Sequence, residues 1–495
     1  MIKQGPKKHI YVSLHSVFMV ALAGTGLLAI GCFLAAFIYR MGLNYDEYQS
    51  GNPDVTYDVF NLSNNFNSYV LVISIFAIIL MMLFLLARAI YTLNNPNTIM
   101  VTLQFVNANG EMVAITREVD AEEVKENKKQ KKVTDRFQKL SLLDKQYPKK
   151  EHIVSTEGLT LEYICRRFRS FASRIEGNPL FYSIDDIRRF VTSLGVSKIL
   201  ILQGMSGTGK TSLPVAWGKF TKVQTTVVPV QPMWKERSDL IGYFNEFTGK
   251  FNESMILEKL YEANKTDKIF LIVLDEVNIA RVEYYFAEFL SLLELPTVDE
   301  RILEVTTSIS KKDPKDLKNG KLILTDNVYF IGTANNDDST FAISDKVYDR
   351  SMILNLDYRC EPFVGEDDYQ PIEISNDLFK TLINKAKKEY SLTKRGRARI
   401  REFDKYIQET FAITFGNRIR RQIEQYVPVY IACGGTESEA LDDILSKKVL
   451  RKLESQNPVY MKSKAEELIA KLNEVFGNGN MPNCEAYIRK LAHNG

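Results

Sequence analysis

The chain has 495 residues, 45% of them hydrophobic and 25% charged, with a formal net charge of +3. It is too long for one small core and too evenly charged to bind polyanions over its whole surface; ~150 residues per domain suggests two or three units. Cys32, Cys165, Cys360, Cys433 and Cys484 form no CxxC pair and the four histidines are scattered, so no zinc site or disulfide framework is expected, and the usage fits a reducing compartment.

In chain order, two apolar runs come first. Residues 17–38 (VFMVALAGTGLLAIGCFLAAFI) and 69–87 (YVLVISIFAIILMMLFLLA) carry no charge, and each matches the ~20 helical residues that cross a bilayer core. Both are expected as transmembrane helices. The first exceeds the apolar region of a signal peptide, and no A-x-A site follows it. Residues 41–68 hold Asp46, Glu47, Asp54 and Asp58 but no lysine or arginine, whereas Lys3, Lys7 and Lys8 precede the first run and Arg88 follows the second. The positive-inside rule then places 41–68 outside and both termini in the cytoplasm. Residues 1–95 are therefore expected to be a two-span anchor in the inner membrane, with the lipid bilayer as a partner.

Residues 98–119 alternate around Asn107-Ala108-Asn109-Gly110, which predicts a hairpin and a small β element over 96–120. Residues 122–132 (EEVKENKKQKK) lose all periodicity, so 121–155 is expected as a charged linker. Helical patterning resumes at 159–175 and 184–194.

The chemistry begins at residues 198–203 (KILILQ), a strand pattern, followed by 204–211 (GMSGTGKT) and a helix pattern. This is G-x-x-x-x-G-K-[ST], in which glycines let backbone N–H groups curl around phosphate oxygens at a helix N-terminus. Gly204, Ser206, Gly207, Thr208, Gly209, Lys210 and Thr211 are the candidate nucleotide-binding residues, with Lys210 on the β and γ phosphates and Thr211 on Mg²⁺. Residues 268–280 (KIFLIVLDEVNIA) form a second apolar strand ending in Asp275-Glu276. Asp275 is expected to hold the Mg²⁺ shell and Glu276 to polarise the attacking water. A third strand, 327–340, ends in Thr333-Ala334-Asn335, whose amide can reach the γ phosphate or the water. Arg350 follows, available to a transferring phosphoryl group or to a surface pair with Asp345 or Asp349.

In this order the motifs resemble those of AAA+ ATPases over roughly residues 180–455. Residues 231–251, 274–294 and 332–351 resemble the dynein-related and MoxR branch, and within it the McrB-like NTPases of 5-methylcytosine restriction systems. The resemblance implies an α/β fold: an AAA+ P-loop parallel sheet flanked by helices over 156–375, then a helical lid and C-terminal tail over 376–495. It implies that Asn335 is sensor 1, that Arg350 is an arginine finger completing a neighbour's site, and that residues 415–430 carry sensor 2. Arg418 is the choice there, with Arg420 and Arg421 as rivals. ATP, with GTP as the alternative, and Mg²⁺ are the implied cofactors; a ring, as a hexamer, and a separately encoded effector are the implied partners. An N-terminal domain that reads modified DNA has no counterpart here, so direct nucleic-acid binding is not expected. The implied role is remodelling or regulating an effector in prokaryotic antiviral defence. The alternatives are a MoxR-like chaperone for membrane or metal-containing complexes and a nucleotide-gated membrane scaffold. Residues 296–326 read as an inserted hairpin, and Trp234, Tyr243 and Phe244 as grips on a translocated chain or as packing against a neighbour.

Overall fold

The computed structural model describes residues 135–335 and 340–493, the backbone of strands at 98–106 and 112–120, and short helical stretches between 78 and 90. The chain divides into two units, Met1–Thr134 and Asp135–Gly495. In the first, β1 (Thr98–Val106) pairs antiparallel with β2 (Met112–Asp120), Thr98 opposite Asp120 and Val106 opposite Met112.

The membrane expectation is corrected. Among the described residues no helix is long and apolar enough to cross a membrane. Helical backbone in the second run is described at 78–79, 82–83 and 85–87. The first run, the intervening loop 41–68 and the charged stretch 122–132 lie outside the described residues. A two-span inner-membrane protein, and a lipid partner with it, is therefore unsupported.

In the second unit the strands are β3 (Ile199–Gly204), β4 (Gln224–Pro229), the hairpin β5 (Gly242–Asn245) and β6 (Lys250–Glu253), β7 (Phe270–Asp275), the hairpin β8 (Ile302–Glu304) and β9 (Lys321–Ile323), β10 (Val328–Asn335) and β11 (Met352–Asn355). β11, β3, β10, β7 and β4 lie side by side in that order, all parallel. Around them are α1 (Gln138–Gln146), α2 (Leu161–Ser173), α3 (Ile184–Val196), α4 (Ser212–Thr221), α5 (Arg237–Ile241), α6 (Met255–Ala263), α7 (Val282–Tyr285), α8 (Ala287–Leu292) and α9 (Asp345–Arg350). The C-terminal helices are α10 (Asn376–Glu389), α11 (Lys394–Phe411), α12 (Asn417–Ala432), α13 (Glu437–Lys448), α14 (Pro458–Phe476) and α15 (Pro482–His493).

The central strands are apolar at successive positions because both faces are covered, and strand periodicity sends alternate side chains to opposite sides. Leu200, Leu202, Leu271, Val273, Tyr329 and Ile331 join Phe168, Phe190, Trp217 and Phe220 of α2, α3 and α4. Ile199, Ile201, Phe270, Ile272, Val328 and Phe330 join Leu140 of α1, Leu260 of α6 and Phe289 of α8. The C-terminal helices share the first of these cores, through Ile423, Tyr426 and Tyr430 of α12. Buried Asp443 of α13 accepts from Tyr426 Oη (2.6 Å) and pairs with Lys447 (2.5 Å) and with Arg189 of α3 (3.0 Å), so an ionic network ties α12 and α13 to α3.

Residues 135–155, grouped with the linker by composition, are built into this unit. Glu253 accepts the N–H groups of Gln138, Lys139 and Leu140, each at 2.9 Å, which caps the first turn of α1 with a carboxylate. Arg136 forks onto both oxygens of Asp313 at 2.5 Å, pinning the insertion between β8 and β9 to the body.

Candidate nucleotide site

Parallel strands present their C-terminal tips on one side of the sheet, where ligands bind at the point where strand order reverses. β3 lies between β10 and β11, and its tip opens into 204–211, which leads to α4. Gly204 has φ 148°, and a Cβ there would sit 2.3 Å from the Leu356 carbonyl oxygen, so a side chain would force the loop off the neighbouring segment. Gly209 has φ 90°, and Tyr182 Oη donates to its carbonyl at 3.0 Å. Burial, with Asp186 nearby, pushes the Tyr182 hydroxyl well up, so it stays protonated and remains a donor. Lys210 is 6% exposed; its Nζ donates to the Gly204 and Met205 carbonyls at 3.0 and 2.7 Å, which holds the ammonium inside the loop. Thr208 Oγ1 donates to the Met205 carbonyl at 3.0 Å, and Ser206 is exposed at the rim.

The neighbouring tips supply the oxygens. Thr211 Oγ1 donates to Asp275 Oδ1 at 2.7 Å, bringing the start of α4 to the end of β7. Thr333 Oγ1 donates to the same Oδ1 at 2.6 Å and accepts from the Glu276 N–H at 2.9 Å. Glu276 stands in the left-handed region, φ 57° and ψ 53°, a conformation that costs a non-glycine residue about 1 kcal/mol or more. Its Oε1 accepts from Asn335 Nδ2 at 3.3 Å. Asn278 Nδ2 donates to the Asn335 carbonyl (2.8 Å) and to Thr340 Oγ1 (2.9 Å), fixing the tip of β10. A hydroxyl and a carboxylate 2.7 Å apart beside a phosphate loop are hard oxygen donors of the kind Mg²⁺ takes, since that ion uses one or two protein ligands and fills its shell with water and phosphate.

Thr211, Asp275, Glu276 and Asn335 are thus brought together beside Lys210, while Arg350 and Arg418 are placed elsewhere. Arg350 Nε donates to Glu294 Oε2 at 2.8 Å, and Arg418 grips the same carboxylate through Nε at 2.8 Å and Nη2 at 3.0 Å. The Arg350 carbonyl accepts from Ser197 Oγ at 3.5 Å, at the start of β3. The five residue steps of β3 from Ile199 to Gly204 put ~17 Å between that end of the sheet and the phosphate loop. Arg420 instead pairs with Asp404 at 2.6 Å.

Three contributors escaped the sequence reading. Thr333 was read as part of a strand tip, without a role; its hydroxyl position depends on the pairing of β10 with β7. Asn278 lies just past the acidic pair, with its amide aimed at a strand far along the chain. Arg359, whose Nε donates to the Gly207 carbonyl at 3.1 Å, follows β11. Applying the rule of C-terminal tips to that fifth strand would have found it.

Replacing Thr333 by valine keeps the volume but removes an acceptor from the Glu276 N–H and a donor from Asp275. A loss of about 1–3 kcal/mol in denaturant unfolding is expected, together with weaker Mg²⁺ dependence of nucleotide binding, and Thr333→Ser should restore both. Unchanged Mg²⁺ dependence in the valine variant would remove Thr333 from the site.

Residues 199–351 match the family described as AAA domain (dynein-related subfamily), and residues 371–495 match one described as a domain of unknown function (DUF8727). Similar solved structures include a "putative ATPase" from Cytophaga hutchinsonii, at 14% identity over 71% of this chain and 98% of that chain with a TM-score of 0.41. Another is a full-length MCM homolog from Methanopyrus kandleri, at 11% identity over 71% and 69% with a TM-score of 0.33. No curated protein matches. The segment 199–351 thus matches an AAA-type domain and folds as a parallel α/β sheet with a phosphate-loop sequence at the tip of β3.

Proposed function

We propose that the chain is an oligomeric P-loop NTPase that hydrolyses ATP, with GTP as the alternative, and uses the cycle to remodel or regulate a separate effector protein. The single observation that carries the enzymatic part is the unbroken chain of contacts from Thr211 through Asp275 and Thr333 to Glu276 and Asn335, set against a loop holding Lys210.

In this reading the loop N–H groups and Lys210 bind the β and γ phosphates. Thr211 and Asp275 would hold Mg²⁺, which would supply positive charge to the phosphate oxygens. Glu276 orients the attacking water and takes up its proton, while Asn335 fixes the Glu276 carboxylate and the position of the water. Arg350 sits too far from its own loop to help there, so it serves a neighbouring copy, and Arg418 shares that surface through Glu294. Arg350 Nη2 and Arg418 Nη1 make no hydrogen bond among the described residues, which leaves each guanidinium a donor edge to offer.

The effector role, in antiviral defence by the McrB-like resemblance, has its structural support in the β5–β6 hairpin. There Tyr243 and Phe247 are 54% and 77% exposed, an aromatic tip suited to gripping another polypeptide. The test is turnover of ATP and GTP by the purified full chain across a protein dilution series. Turnover per chain should fall as the assembly dissociates; turnover that is absent, or unchanged down to the monomer, would sink the oligomeric reading.

A further inference from the structure

At the end of the sheet opposite the phosphate loop lies a cavity of about 710 Å³ between the sheet and α10 and α12. One end of it holds the arginines on Glu294. The other is built around Asp326, just before β10, and involves none of the residues assigned above. Arg301 Nη1 pairs with Asp326 Oδ1 at 2.5 Å, Lys380 Nζ of α10 with Oδ2 at 2.8 Å, and Lys198 Nζ donates to the Asp326 backbone carbonyl at 2.6 Å while lying 3.9 Å from the centre of the Tyr329 ring. Lys387 lines the same cavity. Lys380 and Lys387 are seven residues apart on one helix, so they share a face and are separated by ~10 Å along it.

Two cations therefore pair with the Asp326 carboxylate, a third with its backbone carbonyl, and a fourth lines the same cavity, leaving an excess of positive charge in a partly desolvated space. Burial pushes the Lys198 ammonium down to about 7, with Lys380, Arg301 and Lys387 adding to the shift against the pull of Asp326. Burial also lowers Lys387, whereas the Asp326 carboxyl, which burial alone would raise, is held below the usual carboxylate range by Lys380, Lys198 and Arg301. Such crowding costs free energy unless an anion offsets it. The cavity's volume is in the range of small-ligand sites.

We propose that the Lys198–Arg301–Lys380–Lys387 end of this cavity is a second anion site that takes a multiply charged, phosphate-bearing ligand and, through α10, fastens the C-terminal helices to the sheet. The ligand has two possible sources, a free phosphate compound or the polyphosphate of a nucleotide held by an adjacent copy. Neither requires hydrolysis at this chain's own loop.

The test uses the full chain carrying Lys210→Ala, which silences the phosphate loop, titrated with inorganic pyrophosphate by calorimetry at concentrations where light scattering shows a monomer. Binding is expected there. It should weaken at least tenfold in the added double variant Lys380→Ala/Lys387→Ala and return in Lys380→Arg/Lys387→Arg, with matched thermal unfolding showing that each variant folds. That outcome identifies a free ligand. A monomer that binds nothing, with an otherwise wild-type assembly whose nucleotide affinity drops tenfold on Lys380→Ala/Lys387→Ala, identifies the neighbour's nucleotide. Pyrophosphate binding that ignores both lysines, or no effect of the lysines in either setting, overturns the site. Since loss of turnover at Glu276 plays no part in these readouts, failure here leaves the hydrolytic reading standing.

Discussion

Replacing Glu276 with glutamine is expected to lower single-turnover hydrolysis by roughly 10²–10⁴-fold, the usual worth of a positioned general base, while nucleotide still binds. Glutamine keeps the size of the side chain and can still accept from Asn335 Nδ2, which bonds Glu276 Oε1 at 3.3 Å. It loses the negative charge that draws a proton from water. The left-handed backbone of residue 276 is anchored by Thr333 through the main-chain N–H, so the substitution leaves its geometry in place. Binding of a fluorescent nucleotide should therefore stay within a few-fold of wild type. The same variant separates an engine from a nucleotide-gated scaffold, since a scaffold needs occupancy without turnover and would keep its biological activity. Hydrolysis within twofold of wild type would show that Glu276 is not the group acting on water.

How much of this was legible follows from the range over which each signal acts. The phosphate loop is local: glycines at 204, 207 and 209 and a lysine at 210 fall within seven consecutive residues, and the positive φ angles of the glycines follow from residue type. The Asp275-Glu276 pair was legible because a buried parallel strand is a continuous apolar run and its tip is where charge begins. Thr333 was not, because its worth comes from strand pairing: Thr333 and Asp275 meet only because β10 lies beside β7, with Gly332 opposite Leu274. Arg418 shows the opposite limit. The resemblance assigned it a nucleotide role from its place on a helix, yet which end of the sheet it faces depends on how α12 packs, and it meets Glu294, 124 residues earlier. The apolar runs at 17–38 and 69–87 meet the length and hydropathy that a membrane span needs, but these are necessary conditions only, and among the described residues no helix is long and apolar enough to cross a membrane. Composition likewise assigned 135–155 to a linker, because charged residues such as Arg136 read as solvated until the insertion that receives them is in view.

Replacing Arg350 with alanine is expected to reduce turnover by roughly 10³-fold or more, the range in which a borrowed arginine acts on a phosphoryl group, with nucleotide affinity little changed. In the wild-type chain the guanidinium is held by Glu294 and by the Lys346 carbonyl at 3.2 Å, at the start of β3 rather than at its tip. A group so placed lies away from its own chain's phosphate loop, so under the proposed function it serves another copy's triphosphate. The decisive experiment mixes two inactive chains, Arg350→Ala with an intact loop and Lys210→Ala with an intact arginine. Where the loop of the first meets the arginine of the second, one competent site forms, so turnover on mixing should rise well above the sum of the two parents. If the mixture gives only the sum of its parents, or Arg350→Ala alone turns over normally, the arginine is a structural partner of Glu294 and the site is complete within one chain. Glu294→Gln gives a second reading of the same surface. It leaves Arg350 and Arg418 without the charge that holds them side by side, so it should lower kcat without raising KM if the pair acts across an interface, and should leave both unchanged if the trio merely closes the lid against the core.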